Sequence, residues 1–198
     1  MRVLILASAS PRRLELLRSV GYAPVVDPAH VDETPDRALP PREDAARLAR
    51  AKALAVAARR APGEVVLGAD TIVVVDGVLY GKPRDRDDAR AMLERLAGRM
   101  HHVVTCVHIM VAGPRADERA LAVQSSVVFR ALDGDEVDDY LDSGEWEGKA
   151  GGYAIQGRAG MYARSVIGSY SNVVGLPLCE VVEELRRRGL RPLPARAH

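Results

Sequence analysis

Ser10, Arg12 and Arg13 stand between a short apolar run near the start of the chain and a pattern typical of an amphipathic helix. Ser10 could cap this helix, and Pro11 suits its first position. The amide groups at a helix N-terminus favour negative charge. Two arginines in the same turn are repelled by the helix dipole unless an anionic ligand lies between them. The segment therefore predicts an anion site, and phosphate is the obvious candidate ligand.

Two carboxylate groups could act on a phosphate bound there. Asp70 follows the apolar run 65–69, and open α/β sheets place functional residues at the carboxyl ends of their strands. The alternative is a turn aspartate that bonds its own backbone. Asp32 and Glu33 lie in an acidic loop that could supply oxygen ligands to a hard divalent cation, or could simply be solvated. With phosphates bound, a Mg²⁺ ion that bridges them to Glu33 and Asp70 becomes a natural requirement.

Lysine is rare in this chain. Of the 28 basic residues only three are lysines, Lys52, Lys82 and Lys149. A retained lysine can mark a place that needs a compact charge on a flexible stem, although chance survival is the simpler alternative. Lys82 follows Gly81 on a turn and could reach a phosphate. Lys52 lies within a helical pattern, where a solvated helix face is the simpler interpretation.

A glycine-rich segment, 148–157, contains Tyr153 and Gln156. The Gln156 amide carries donor and acceptor atoms that suit the edge of a planar base, but a buried glutamine bonded to backbone is equally consistent. Tyr153 could stack on such a base or fill the core. The histidines form no Ser-His-Asp or Cys-His arrangement in the sequence, so we interpret them as structural or surface groups.

The composition restricts the class of protein. A chain of 198 residues, 47% hydrophobic and 28% charged, fits one domain with a sizeable core. Its net charge of +1 gives no broad field for a nucleic acid polymer or a membrane, so small ligands fit better. Cys106 and Cys179 show neither metal-ligand nor disulfide spacing and are expected in the core, as in a reducing compartment. The apolar run 3–7 is too short for a signal peptide or a membrane span, so we expect a soluble, cytoplasmic protein.

The predicted elements alternate between strands and helices. Strands are predicted at 3–7, 24–26, 65–69, 72–75, 103–111, 123–129 and 161–167. After the helix that ends at Gly21, further helices are predicted at 43–60, 86–97, 135–142 and 178–188. The alternation predicts an α/β fold, and a hairpin near residues 103–129 makes the sheet mixed. We expect one domain over residues 1–190 and a C-terminal tail over 191–198.

Six motifs in this order resemble those of the Maf family of nucleoside triphosphate pyrophosphatases. They are Ser8-Ala-Ser-Pro-Arg-Arg13, Asp32-Glu33, Ala69-Asp-Thr71, Gly81-Lys-Pro83, Lys149-Ala-Gly-Gly-Tyr-Ala-Ile-Gln-Gly157 and Gly168-Ser-Tyr-Ser-Asn-Val-Val-Gly-Leu-Pro-Leu178. The resemblance covers nearly the whole chain. It implies a mixed, twisted sheet flanked by helices with a deep cleft, similar to inosine triphosphate pyrophosphatases. It also implies hydrolysis of a nucleoside triphosphate to the monophosphate and pyrophosphate.

The resemblance assigns roles to individual residues. Asp70 matches the proton acceptor of the family, and Arg12, Thr71 and Gln156 match positions associated with substrate choice. Their identities resemble the branch that acts on dTTP and UTP. Phosphate-facing positions of the family are matched by Ser8, Arg13, Lys52 and Lys82, and we add Ser10 as the predicted cap. A divalent cation, Mg²⁺ or Mn²⁺, is expected at Glu33 and Asp70.

Other functions remain open at this stage. The chain could be a 7-methyl-GTP pyrophosphatase of the same family or an enzyme that removes modified nucleotides. It could also be a nucleotide-binding regulator of cell division without catalytic activity, or an unrelated α/β domain. A homodimer is a further possibility, because homodimers are the commonest soluble oligomers.

Overall fold

The computed structural model describes residues 2–36, 38–114 and 117–193. Residues 194–198 of the predicted tail lie outside the described residues. The strands are β1 (Leu4–Leu6), β2 (Val25–Val26), β3 (Val65–Val75), β4 (Val78–Tyr80), β5 (Met100–Val111), β6 (Glu118–Phe129) and β7 (Ala163–Ile167). The α-helices are α1 (Pro11–Ser19), α2 (Pro41–Ala57), α3 (Arg86–Leu96), α4 (Gly134–Asp142), α5 (Tyr170–Val174) and α6 (Leu178–Arg187), and short 3₁₀ helices cover Ala150–Gly152 and Arg158–Met161.

The strands form a sheet in the order β2-β1-β3-β5-β6-β7, with β4 paired to β3. β1 lies parallel to β2 and β3, because α1 and α2 supply the crossover connections that parallel pairing needs. β3 and β4 pair antiparallel through a tight turn. β6 and β7 also pair antiparallel, but α4 and both 3₁₀ helices lie between them in the chain. The predicted mixed α/β fold is therefore confirmed.

The described residues divide into two compact units. The first contains residues 2–70, 105–123 and 175–193, and the second contains 71–104 and 124–174. The boundary passes between Asp70 and Thr71, two neighbouring candidate site residues. A single domain over residues 1–190 stays a prediction, as does the deep cleft.

β1 and the part of β3 that pairs with it are buried on both faces. Leu4 and Leu6 of β1 pack in a cluster with Leu17 of α1 and Leu185 of α6. On the opposite face, Ile5 packs in a second cluster with residues of α2. This arrangement follows from the alternation of side chains along a strand, and parallel strands are usually covered on both sides. It fixes α1 and α2 against opposite faces of the same strands.

The two cysteines differ in exposure. Cys106 is buried as predicted, but Cys179 is exposed, so its placement in the core is wrong. The reason is that Cys179 lies in the first turn of α6, whose buried side is formed by Val181 and Leu185.

In the described part of the chain, no helix has the length and apolar character needed to cross a membrane.

Candidate active site

Arg13 is held at the start of α1, directly after β1. Its Nη1 donates a hydrogen bond to Ser8 Oγ at 3.0 Å, and its Nε donates to the carbonyl oxygen of Gly175 at 2.9 Å. Burial lowers the pKa of the Arg13 guanidinium, while the charges of Asp70 and Glu33 act in the opposite direction. The guanidinium therefore lies within electrostatic reach of both carboxylates, and its position is fixed by two hydrogen bonds.

Ser10 occupies the position before the first residue of α1, but its side chain makes no capping hydrogen bond. The predicted side-chain cap is therefore wrong. The Ser10 backbone N–H instead donates to Ser8 Oγ at 3.2 Å, so one hydroxyl serves both this amide and Arg13. The Arg12 charge acts on the Arg13 guanidinium, which places both predicted arginines near the same helix end.

Lys52 is the centre of an ion cluster. Its Nζ lies 2.7 Å from Asp70 Oδ1 and 3.0 Å from Glu33 Oε1. The Lys52 side chain is only 7% exposed, against 14% for Asp70 and 42% for Glu33. The interpretation of Lys52 as part of a solvated helix face is therefore wrong. A buried ammonium needs a negatively charged partner, and here two carboxylates fill this role.

Gly68 allows this cluster to form. A Cβ atom at residue 68 would lie 2.4 Å from the carbonyl oxygen of Ala49 and 2.7 Å from the nitrogen of Ala53. The backbone of α2 therefore lies so close to β3 that any side chain at residue 68 would clash with it. Residues two apart in a strand share a face, so Asp70 is on the same side of β3 as this contact. The close approach brings Lys52, one residue before Ala53, within reach of the Asp70 carboxylate.

Arg47 connects the loop that carries Glu33 to α2. Its Nε and Nη2 donate to Asp44 Oδ1 at 2.8 and 2.6 Å, and Nη2 also donates to the carbonyl oxygen of Thr34 at 3.2 Å. Asp32 Oδ1 accepts from the Thr34 backbone N–H at 2.8 Å, and hydrogen bonding with Thr34 lowers the pKa of Asp32. Asp32 therefore closes a turn, while the neighbouring Glu33 points its carboxylate at Lys52.

We expect Arg47→Gln to lower the free energy of unfolding by about 1–3 kcal/mol, because it leaves the buried Asp44 carboxylate without its guanidinium partner. Arg50→Gln is the matched control. Arg50 lies on the same helix with its side chain 53% exposed and approaches Glu118 only to 3.6 Å, so the change should be within about 0.5 kcal/mol. Urea unfolding measures both variants. Equal stability of the two would contradict a structural role for Arg47.

The second unit contains Thr71, Lys82 and Gln156. Gln156 and Lys82 are exposed, so the alternative of a buried glutamine bonded to backbone is wrong for Gln156. The Gly151 backbone N–H donates to the Gly81 carbonyl oxygen at 2.9 Å. This bond ties the glycine-rich segment that leads to Gln156 to the turn that carries Lys82. Gly151 has a φ of +70°, and an added Cβ would lie 2.9 Å from Val73 Cγ2, so glycine is required there.

Tyr153 belongs to the core of the second unit. Its ring packs edge-on against Phe129 and His101, and its hydroxyl lies 2.8 Å from His101 Nε2. Burial raises the pKa of Tyr153, and burial also lowers the pKa of His101 to about 4, so the histidine is neutral near pH 7. Stacking of Tyr153 on a base is thereby excluded in this conformation, and the core alternative is confirmed.

The structure thus brings most predicted residues of the first unit together and adds three that the sequence did not indicate. Glu33, Lys52 and Asp70 form one cluster. The charges of Glu33 and Asp70 act on Arg13, which is hydrogen bonded to Ser8. The residues that sequence reasoning missed are Asp44, Arg47 and Gly68. An arginine three residues after an aspartate was the available signal for the first two, because such residues are neighbours on a helix.

Comparisons with known proteins give a consistent result. The family profile described as Maf-like protein matches residues 3–188. A dTTP/UTP pyrophosphatase of Paramagnetospirillum magneticum is 51% identical over 97% of this chain and 100% of its own length. Proteins of the same name from Sphingopyxis alaskensis and Myxococcus xanthus are 52% and 51% identical, over 91% and 98% of this chain and 93% and 96% of their own lengths.

Among solved structures, a nucleoside-triphosphatase / dITP/XTP pyrophosphatase of Mycobacterium abscessus is similar at a TM-score of 0.40 and 18% identity. The alignment covers 67% of this chain and 76% of that one. A score at this level does not establish a shared fold. The expected similarity to inosine triphosphate pyrophosphatases therefore stays a prediction.

Proposed function

The chain belongs to the Maf family, and we propose that it hydrolyses dTTP and UTP to the corresponding monophosphates and pyrophosphate. The observation that carries this proposal is the shared name of relatives about half identical to it, which match over 91–98% of this chain. The geometry is compatible with it, because a carboxylate, a buried ammonium and a fixed guanidinium lie in one part of the first unit.

In this proposal the triphosphate binds to cationic and hydroxyl groups. The amides at the start of α1 supply further donors to an anion. Arg13 is supported by Ser8 and Gly175, so its guanidinium needs little reorganisation to hold a phosphate. The phosphate-binding residues we propose are Ser8, Ser10, Arg13, Lys52 and Lys82.

Base selection is assigned to Arg12, Thr71 and Gln156. The exposed Gln156 amide has one acceptor and two donor positions, which suit the carbonyl and imino edge shared by thymine and uracil. The bond from Gly151 to Gly81 connects this amide's segment to the Lys82 turn. This bond therefore connects the segment of Gln156, which we propose contacts the base, to the turn of Lys82, which we propose binds phosphate.

Asp70 is the proposed general base. Its partial burial and its ion pair with Lys52 fix its position. In the proposed reaction Asp70 takes a proton from the water that attacks the α-phosphorus. The bond to the β-phosphate oxygen then breaks, and pyrophosphate leaves toward the cationic groups.

The donor atoms also fit a divalent cation. Glu33 and Asp70 direct carboxylate oxygens at one cationic atom, Lys52 Nζ, and Mg²⁺ binds through one or two carboxylates together with substrate phosphates. Within residues 2–36, 38–114 and 117–193, no cluster of three or more His, Cys, Asp and Glu could hold a metal by itself. Bound at Glu33 and Asp70, Mg²⁺ or Mn²⁺ would neutralise phosphate charge and acidify the attacking water.

The test is a substrate panel with Mg²⁺ that contains dTTP, UTP, CTP and 7-methyl-GTP. We expect pyrophosphate as the product, with kcat/KM for dTTP and UTP at least ~10-fold above that for 7-methyl-GTP, because a site built to hydrogen-bond one base edge disfavours another. Release of orthophosphate would overturn the proposal. Preference for 7-methyl-GTP would assign the chain to the alternative substrate, and tight binding without turnover would favour a regulator. Cytoplasmic location and a homodimer remain predictions.

A further inference from the structure

We propose that Lys52 is a built-in cation that holds Glu33 and Asp70 together in the metal-free protein and leaves this place when a divalent cation binds. The inference rests on the proposed function only in taking these two carboxylates as the metal ligands. It gives Lys52 a second position, distinct from the phosphate contact assigned to it above.

The contacts of Lys52 support the first position. Its Nζ is within 3.0 Å of a carboxylate oxygen of each residue, and the side chain is almost fully buried. Two carboxylates that converge on one point repel each other unless a cation separates them. An ammonium provides this cation without any bound ligand, so the pair is assembled before the nucleotide arrives.

The same contacts imply competition. Glu33 and Asp70 carry two negative charges and Lys52 one positive charge, which leaves one net negative charge to attract a metal ion. A Mg²⁺ ion that binds both carboxylates needs oxygen ligands at about 2.0–2.1 Å, so it would occupy the space of the ammonium between them. Both cations cannot take this position at once.

Lys52 is suited to the exchange. Its flexible four-carbon stem lets the ammonium move toward a phosphate when the metal replaces it. Glu33 is the more exposed carboxylate of the pair, with 42% of its side chain accessible, so the cluster can open on that side. The exchange would couple metal binding to the release of a phosphate-binding charge.

The experiment compares Lys52→Met with Lys149→Met in the absence of nucleotide. Methionine keeps an unbranched side chain but removes the charge, and Lys149 is a partly exposed lysine whose Nζ donates a hydrogen bond to the Glu147 carbonyl oxygen. We expect Lys52→Met to bind Mn²⁺ about tenfold more tightly than the unchanged protein, because one opposing charge a few ångströms away has been removed. Lys149→Met should bind Mn²⁺ as the unchanged protein does. Equal or weaker Mn²⁺ affinity in Lys52→Met would overturn the proposal.

A second measurement does not depend on the folding of that variant. The chain has only three lysines, so lysine-selective NMR of the unchanged protein reports on three side chains alone. Titration with Mg²⁺ alone should shift the Lys52 signal and leave the Lys149 signal in place. An unmoved Lys52 signal would overturn the proposal. Since neither measurement contains nucleotide, failure here is independent of the outcome of the pyrophosphatase assay.

Discussion

Asp70→Asn is expected to lower kcat for dTTP hydrolysis by ~100-fold or more, the usual scale for loss of a general base. Asparagine has the shape of aspartate, but its neutral amide cannot take a proton from water at neutral pH. Lys52 still contacts Glu33 in this variant, so the ammonium keeps one of its two carboxylate partners. Asp70 is also a proposed metal ligand, so the assay uses saturating Mg²⁺. Under that condition the effect should fall mainly on kcat, with KM changed much less.

Asp76→Asn is the matched control for this variant. Asp76 is an exposed aspartate in the turn between β3 and β4 and pairs with Arg95 and Arg99. Its backbone φ is +49°, a conformation that asparagine also adopts readily. Steady-state kinetics with dTTP and thermal unfolding compare the two variants. Turnover by Asp70→Asn at the level of Asp76→Asn would show that another group takes the proton.

Local patterns were sufficient to predict much of the fold. The apolar run 3–7 and the helix start at Pro11 correspond to β1 and α1, because the local apolar pattern and the proline at the first helical position decide these elements. The apolar runs 65–69 and 72–75 predict two strands, but the structure has the single strand β3. The polar Asp70 and Thr71 interrupt the apolar pattern without interrupting the extended backbone. β4 and α5 are too short to show a period of their own.

The candidate site was less predictable, because contacts between distant segments create it. A helical pattern shows which residues share a face but not what that face contacts, so the pattern alone favours a solvated Lys52. Its burial depends on Asp70, eighteen residues later, and on Glu33 from a loop before α2. The bond from Arg47 to Thr34 is likewise a contact between a helix and a loop. The sequence motifs indicate which chemical groups belong to the site, and the fold determines which of these groups are in contact.

Gly68→Ala is expected to lower the free energy of unfolding by about 1–3 kcal/mol and to reduce kcat/KM for dTTP about tenfold or more. The added methyl group would lie within 2.7 Å of backbone atoms of Ala49 and Ala53, which cannot rotate away, so α2 must shift from β3. Such a shift carries Lys52 away from Asp70. Intrinsic strand propensity alone predicts the opposite sign for stability, because alanine is favoured over glycine in a strand.

Gly134→Ala separates this packing effect from a general effect of replacing glycine. Gly134 is the first residue of α4, and among the described atoms nothing lies within 4 Å of an added Cβ. The free energy of unfolding of Gly134→Ala should change by less than about 0.5 kcal/mol or increase slightly, since alanine is the better helix former. Urea unfolding and dTTP kinetics measure both variants. A stable, fully active Gly68→Ala would mean that α2 can move from β3 without disturbing the contact between Lys52 and Asp70, and that close packing is not what positions the ammonium.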